Sequence, residues 1–79
     1  VLAADARGGM DLFRTPGWEK GPVVWMMGAE GSGLSLKALA VADERYLIPI
    51  EEACESLNVG AAAAVCLFEQ RRRRLLAGA

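Results

Sequence analysis

Two short polar loops contain the residues whose types and spacing could do chemistry. The first, "GAEGSGLS" at residues 28–35, comes close to the phosphate-binding pattern G-x-x-x-x-G-K-[ST]. Leu34 stands where that pattern has lysine, and Glu30 adds a negative charge. Glycines allow a ligand to approach the backbone closely, and a carboxylate suits hydroxyl groups or a cation better than a phosphate. The loop is typical either of a binding site for a nucleoside that carries a positive charge or of a plain turn between a strand and a helix.

The second loop contains "ESLN" at residues 55–58, directly before an apolar segment. Ser56 and Asn58 offer a hydroxyl and an amide at a predicted helix start, where unpaired N–H groups are also available. Ser56 is equally well explained as a simple N-cap. Asn58 needs hydrogen-bond partners in either case, because burying an unpaired amide is costly.

The residue types that are missing exclude several kinds of catalysis. The chain has no histidine, which removes Ser-His-Asp and Cys-His nucleophilic catalysis and the usual general base near neutral pH. Cys54 and Cys66 are too few for a disulfide framework and lack the usual partners of a zinc site, so we expect free or buried thiols and no metal. Chemistry here must use carboxylates, arginines, hydroxyls, amides or backbone groups.

The first part of the chain predicts two strands separated by a loop. Residues 1–5 are a short apolar strand, and the Gly- and Pro-containing residues 6–21 indicate a loop. Residues 22–28, "PVVWMMG", are an uninterrupted apolar run bounded by turn residues. Such a run is typical of a strand buried on both faces in a parallel sheet.

The second part predicts a helix, a strand and a longer helix. Ser35 is a suitable N-cap for a helix over residues 36–42, "LKALAVA". Residues 45–50, "RYLIPI", predict a strand, in which Pro49 indicates either an edge position or the strand's end. The last helix starts near Ser56, its expected N-cap, and runs into the arginines.

The last helix changes character along its length. Residues 57–68 are apolar or small on almost every side, which predicts that other protein surrounds this half. After Glu69 the helix becomes charged, so this half should emerge into solvent or onto a polyanion. The four arginines at residues 71–74 fit a solvated helix end or a surface that contacts phosphates. Trp18, Trp25 and Phe68 are expected in the core or in an interface.

The whole pattern predicts one small α/β domain over residues 1–79 with a parallel sheet, because helices connect the later strands. Ligands of open α/β sheets bind outside the carboxyl ends of the strands, so two neighbouring strands that end in the polar loops would form one crevice. No apolar run has the length that a membrane helix requires. We expect a soluble chain that does not bind a membrane.

Three segments together carry a family resemblance. "VVWMMGAEGSGLS", "YLIPI" and "ESLNVGAAAAVCLFEQRRR" resemble, in order and spacing, the second and third motifs of the SpoU (TrmH-type) RNA ribose 2′-O-methyltransferases of the SPOUT superfamily. "VLAADARGG" resembles the strand and loop that precede the second motif. The resemblance implies a parallel-sheet α/β fold with a deep trefoil knot, S-adenosylmethionine as cofactor, and methylation of a ribose 2′-hydroxyl in tRNA or rRNA. It also implies a homodimer and a cytoplasmic location.

The resemblance further implies roles for individual residues, each at the position that matches a family motif. Cofactor contacts, many through the backbone, fall on Gly28, Glu30, Gly31, Ile48, Ile50, Leu57 and Asn58. Arrangement of the active site and its substrate falls on Glu30, Ser56 and Asn58. RNA binding falls on Arg71, Arg72, Arg73 and Arg74, although the family does not give this arginine-rich helix end the catalytic task.

One element of the family pattern is not in this sequence. The family's first motif carries an asparagine and an arginine that serves near the ribose hydroxyl, and its strand–helix unit is expected upstream of Val1. The chain is therefore expected to be the C-terminal part of a SPOUT domain and to be inactive by itself. A non-catalytic RNA- or nucleoside-binding module is the main alternative, and a P-loop nucleotide hydrolase is a weaker one.

Overall fold

The computed structural model describes residues 1–28, 33–50 and 58–78. Along the chain the elements are β1 (Leu2–Ala4), β2 (Met10–Asp11), β3 (Trp25–Met27), α1 (Leu36–Val41), β4 (Glu44–Leu47) and α2 (Val59–Leu76).

The strands form one parallel sheet in the order β2-β4-β1-β3. β1 lies between two partners, and Ala4 is paired with Met27 of β3 on one side and with Tyr46 of β4 on the other. All the strands therefore end at the same edge of the sheet. The predicted parallel α/β fold is confirmed.

The predictions for β1 and α1 are confirmed, whereas β2 was missed. Ser35 caps α1 by accepting a hydrogen bond from the Ala38 N–H at 3.1 Å. β2 has only two residues, Met10 and Asp11, inside a segment whose glycines predict a loop. Gly9, with φ of 126°, packs so closely on Arg45 of β4 that an added Cβ would lie 2.7 Å from the Arg45 carbonyl oxygen. That close approach brings the short strand against β4.

Two expectations for the strands need correction. β3 is not buried on both faces, because Trp25–Met27 are half-buried and Val24 is 61% exposed; it is also an edge strand among the described residues. β4 is not an edge strand, since it lies between β2 and β1. β4 ends at Leu47, so Pro49 lies beyond the strand. Of the two interpretations of this proline, an edge position or the end of a strand, the second is confirmed.

The core is small and rich in aromatic rings. Its buried members are Leu2, Leu12, Trp18, Tyr46 and Cys66. Trp25 packs edge-on against Trp18 and Tyr46, with ring centroids 5.3 and 6.1 Å apart. Trp18 also donates a hydrogen bond from Nε1 to the Leu12 carbonyl at 2.9 Å, so its polar end is satisfied. Burial raises the pKa of the Cys66 thiol to about 11, as expected for a structural cysteine.

The two halves of α2 depart in part from the predicted packing. Leu67 and Phe68, from the apolar half, are 57% and 73% exposed. Glu69 and Gln70, at the start of the charged half, are buried. The physical reason is that α2 is anchored to this chain through ion pairs and hydrogen bonds of its charged half. The expectation that this half emerges into solvent is confirmed for Arg71, Arg72 and Arg74 but not for Gln70 and Arg73, and Phe68 does not belong to the core.

Candidate functional site

Three strands end side by side and define the candidate site. Asp5 follows β1, Gly28 follows β3 and Ile48 follows β4, all at the carboxyl edge of the parallel sheet. The Asp5 N–H donates to the Tyr46 carbonyl at 2.9 Å, which holds the chain against β4 past the end of β1. The sequence predicts that β3 and β4 are neighbours. They are not, because β1 lies between them.

The ends of the glycine loop meet at this edge. A Cβ added to Gly28 would lie 2.6 Å from the carbonyl carbon of Gly33 and 2.7 Å from the amide nitrogen of Leu34. No other residue type fits at Gly28 without a shift of backbone. Gly33 has φ of 69°, a conformation that glycine adopts without steric cost. We call this contact between Gly28 and residues 33–34 the loop neck.

An ion cluster lies beside the loop neck. Asp5 is 5% exposed, and its Oδ1 accepts hydrogen bonds from the Arg7 N–H at 3.0 Å and from Arg7 Nε at 3.1 Å. Its Oδ2 lies 3.2 Å from Arg45 Nη2, an ion pair whose geometry is not that of a hydrogen bond. Burial alone would raise the pKa of Asp5, but the hydrogen bonds from Arg7 and the charges of Arg7 and Arg45 lower it below its usual value.

Arg7 also reaches the glycine loop. Its Nη2 donates a hydrogen bond to the Leu34 carbonyl oxygen at 2.8 Å. Sequence reasoning assigned no role to Asp5 or Arg7. The signal that could have found them is their position, because an acid and a base two residues apart follow directly after a buried strand.

The predicted cofactor residues divide into those that the structure describes and those it does not. Gly28, Ile48 and Ile50 lie at the carboxyl edge, where Ile48 is half-buried against the core and Ile50 is 39% exposed. The predicted residues Glu30, Gly31, Ser56 and Leu57 lie outside the described residues.

Asn58 is the N-cap of α2. Its Oδ1 accepts a hydrogen bond from the Ala61 N–H at 2.7 Å, and its side chain is exposed. The cap had been expected at Ser56, so this expectation is corrected: the helix begins two residues later, at Val59. Asn58 thereby finds the partner that an amide at a helix start requires. The capping bond uses the carbonyl oxygen of the side chain, not its NH₂ group.

The arginine run is built into the fold to a large extent. Arg73 donates hydrogen bonds to the Thr15 and Leu12 carbonyls, each at 2.6 Å, and its side chain is only 11% exposed. It also pairs with Glu19 and Glu69 at 3.0 Å each, and its guanidinium carbon lies 4.6 Å from the centre of the Trp18 ring. Arg73 therefore ties α2 to the segment between β2 and β3.

The other three arginines differ in the number of hydrogen bonds that they form. Arg72 forms two hydrogen bonds with Glu69, at 2.7 and 2.8 Å, and Arg74 donates to the carbonyls of Glu19 and Gly21. Arg71 is exposed and forms none of the ion pairs found within residues 1–28, 33–50 and 58–78. Contact of these residues with RNA stays a prediction, for which Arg71 has a charge that is not paired among the described residues.

The carboxylates that hold these arginines have shifted pKa values. The hydrogen bond from Arg72 is the main cause that lowers the pKa of Glu69, and Arg73 adds to it against the opposing effect of burial. Backbone N–H groups, first that of Glu19 itself, and then the Arg73 guanidinium lower the pKa of Glu19. Both carboxylates are charged at neutral pH, which is the state that binds arginine.

The described residues contain neither a membrane-spanning helix nor a cluster of metal-binding side chains. Within the described part of the chain, no helix is long and apolar enough to cross a membrane. Among the same residues, no group of three or more acidic or cysteine side chains comes together in a way that could hold a metal ion.

Comparison with known proteins adds information on relatives. Residues 1–68 match the model of the SpoU rRNA methylase family. The chain is 47% identical over 78 residues to a tRNA (guanosine(18)-2′-O)-methyltransferase of Thermus thermophilus, covering 99% of this chain and 38% of the relative. It is 44% identical over 64 residues to the 23S rRNA (guanosine-2′-O-)-methyltransferase RlmB of Ralstonia nicotianae, covering 81% of this chain and 25% of the relative. The chain thus spans well under half the length of either relative.

A solved structure is similar in fold. The crystal structure of the SpoU methyltransferase AviRb from Streptomyces viridochromogenes, in complex with the cofactor AdoMet, superposes with a TM-score of 0.83 at 30% sequence identity. The similarity covers 94% of this chain and 28% of that one.

Proposed function

This chain belongs to the SpoU rRNA methylase family, and we propose that the protein methylates a ribose 2′-hydroxyl in tRNA or rRNA with S-adenosylmethionine as methyl donor. The observation that carries the proposal is the 47% identity, along 99% of this chain, to an enzyme named for 2′-O-methylation of guanosine. The RlmB relative is also named for guanosine, so a guanosine ribose is the first substrate to test.

The described residues at the carboxyl edge fit the proposed cofactor. The glycine at the end of β3 brings backbone groups of residues 28, 33 and 34 together at this edge. Ile48 and Ile50 offer apolar surface after β4. An adenosine base can pack on such apolar surface and hydrogen-bond to backbone groups. The cofactor would supply the methyl group that is transferred.

We propose that Gly28, Ile48 and Ile50, with Glu30, Gly31, Leu57 and Asn58, hold the cofactor. Asn58 keeps two N–H donors free of the capping bond, and these are suited to an acceptor on a ligand. Glu30 contributes a carboxylate that suits a cation or a hydroxyl group.

We propose that Glu30, Ser56 and Asn58 arrange the substrate for reaction. Methyl transfer to an alcohol requires the hydroxyl oxygen to lie in line with the methyl carbon and to lose its proton. Hydroxyl, amide and carboxylate groups can orient the ribose by hydrogen bonds. In the family, an arginine of the first motif serves near the ribose hydroxyl, and this sequence does not contain that motif.

The remaining proposals concern partners and topology. RNA contact is assigned to the arginine-rich end of α2, residues 71–74, of which Arg71, Arg72 and Arg74 are exposed. A homodimer is proposed because α2 exposes Leu67 and Phe68, which are costly to leave in water. A deep trefoil knot and a cytoplasmic location, where tRNA and rRNA are found, complete the proposal.

The test is methyl transfer by the full-length protein that carries this chain. Unmodified tRNA and rRNA transcripts are incubated with S-adenosylmethionine labelled on the methyl group, and the RNA is then hydrolysed with alkali. A 2′-O-methyl group blocks cleavage at its own nucleotide, so we expect the label in an alkali-resistant dinucleotide. Label in mononucleotides only would show base methylation and contradict the proposal. The 79-residue chain alone serves as the comparison and is expected to be inactive.

The same assay tests the non-catalytic alternative. A binding module would bind S-adenosylmethionine or RNA in calorimetry and transfer no label to any transcript. Binding of ATP without binding of S-adenosylmethionine would instead favour a nucleotide hydrolase.

A further inference from the structure

Arg7 connects the end of β1 to the far side of the glycine loop. Its guanidinium donates from Nε to the Asp5 carboxylate at 3.1 Å and from Nη2 to the Leu34 carbonyl at 2.8 Å. The two acceptors are 29 residues apart in sequence, as the chain positions 5 and 34 show. A rigid, planar guanidinium is suited to this task because it holds two acceptors at a fixed separation.

The anchor on the Asp5 side is firm. The Asp5 side chain is 2% exposed, it follows a strand paired on both sides, and its own N–H is bonded to Tyr46 of β4. Arg7 itself is 54% exposed in its side chain, so it contributes little to the core. The bond to Leu34 is therefore made from a fixed point to the C-terminal end of the glycine loop.

The bond between Arg7 and Leu34 lies beside the loop neck. Leu34 touches Gly28 at the loop neck, where a Cβ on Gly28 would lie 2.7 Å from the Leu34 nitrogen. A Cβ on Gly33 would lie 3.6 Å from the Arg7 guanidinium carbon. Arg7 and Gly28 thus both contact residues 33–34, so a shift of these two residues would disturb the bond to Arg7 together with the neck.

We propose that Arg7 is a positioning residue for the methyl-donor site: held by Asp5, it fixes residues 33–34 beside Gly28 at the loop neck. The inference rests on the proposed function for the identity of the ligand. It does not place Arg7 in contact with the cofactor or the RNA.

The main experiment compares three single variants of the full-length protein by calorimetry with S-adenosylmethionine. Arg7→Ala removes both hydrogen bonds and should raise the dissociation constant about tenfold, the effect of losing one charge-assisted contact. Arg7→Lys keeps the charge but can hydrogen-bond to only one of the two acceptors at a time, so it should raise the dissociation constant about threefold. Arg14→Ala is the matched control, because Arg14 is 89% exposed and pairs only loosely with Asp11 at 3.9 Å.

A second measurement needs no ligand. Amide hydrogen exchange in a peptide spanning residues 28–35 should become faster in Arg7→Ala than in the unaltered protein, while exchange in β1 and β4 stays the same. In steady-state assays the KM for S-adenosylmethionine should rise and the KM for RNA should not change. A general loss of stability would instead accelerate exchange in the strands as well.

Several results would overturn the inference. Unchanged affinity in Arg7→Ala would do so, as would an equal loss in Arg14→Ala, which would show a general effect of charge. Weaker binding with unchanged exchange at residues 28–35 would point to direct ligand contact and would also overturn it. If the unaltered protein does not bind S-adenosylmethionine, the proposed function fails, and the exchange measurement still decides whether Arg7 holds the neck.

Discussion

Arg73 illustrates how the structure changes the interpretation of a residue type. A run of arginines at a helix end is usually solvated, yet Arg73 is 11% exposed and bonds to two carboxylates, two backbone carbonyls and an indole ring. The Glu19 and Glu69 side chains are only 14% and 7% exposed, so the guanidinium compensates for much of their lost contact with water. Arg73 is therefore a structural residue first.

Substitution of Arg73 should destabilise the protein strongly. Arg73→Ala leaves Glu19 without its ion-pair partner and Glu69 with Arg72 alone, and it should lower the free energy of unfolding by about 2–4 kcal/mol, as for other broken buried pairs. Arg73→Lys should cost roughly half as much, because an ammonium group keeps the charge but not the fork geometry. Urea denaturation followed by Trp fluorescence measures both.

Arg71 provides the control for this prediction. It is exposed, and Arg71→Ala should change the free energy of unfolding by less than about 0.5 kcal/mol. If Arg73→Ala were as mild as Arg71→Ala, the contacts of Arg73 would not be important for stability. Loss of RNA affinity in Arg71→Ala without loss of stability would support the proposed RNA contact.

At the scale of elements, α2 has separate tasks at its two ends. Its charged end is fixed to the segment between β2 and β3, and its N-terminus follows the loop that contains the proposed catalytic residues. A helix is stiff, so anchoring one end also restricts the other. Asn58 is the point at which this element meets the proposed cofactor site.

Two substitutions of Asn58 separate capping from ligand binding. Asn58→Asp keeps the oxygen that accepts from Ala61 and should leave the melting temperature nearly unchanged, whereas Asn58→Ala should cost about 1 kcal/mol. Asn58→Asp loses the two N–H donors, so affinity for S-adenosylmethionine should fall in both variants. Thermal melts and calorimetry give the two readouts. Unchanged affinity in Asn58→Asp would limit Asn58 to the capping role.

At the scale of the whole molecule, stability should depend on acid pH. Asp5, Glu19 and Glu69 all have pKa values lowered in the folded state, with usual values of 3.8, 4.5 and 4.5. A lowered carboxylate pKa stabilises the fold above the usual value, and this contribution is lost as the pH falls through the lowered one. The melting temperature should therefore be nearly constant from neutral pH down to about pH 5 and should then fall steeply.

A variant of Glu69 tests the origin of this pH dependence. Glu69→Gln cannot titrate, so its melting temperature should be lower at neutral pH and should fall less steeply below about pH 4.5. An acid transition as steep as that of the unaltered protein would assign the effect to other groups.

The exposed apolar surface of α2 leads to a prediction about assembly. Phe68→Glu should convert the proposed dimer to a monomer in sedimentation, because it places a charge where Phe68, 73% exposed in this chain, is expected to be covered. Leu36→Glu adds the same charge at a leucine of α1 that is 84% exposed, and it should leave the dimer intact. A Phe68→Glu protein that sediments like the unaltered one would contradict this assignment of the interface.

The sequence by itself determined the local elements and the family. Apolar runs and a serine cap gave β1, β3, α1 and the parallel sheet, because these depend on side chains that are adjacent in the chain. Motif order in "GAEGSGLS", "YLIPI" and "ESLN" identified the family that the comparisons confirm. The sequence also predicts that Gly28 and Ile48 lie at the carboxyl edge of the sheet, because each follows an apolar run that forms a strand.

Only the tertiary structure decided which polar groups meet. The bonds from Arg7 to Leu34 and from Arg73 to Leu12, Thr15 and Glu19 join residues distant in sequence, and no local pattern predicts such a pairing. β2 was also invisible locally, because two residues form a strand only when β4 supplies their partners. Charge made the end of α2 look solvent-exposed in sequence, but a charge can be buried once opposite charges and carbonyls surround it.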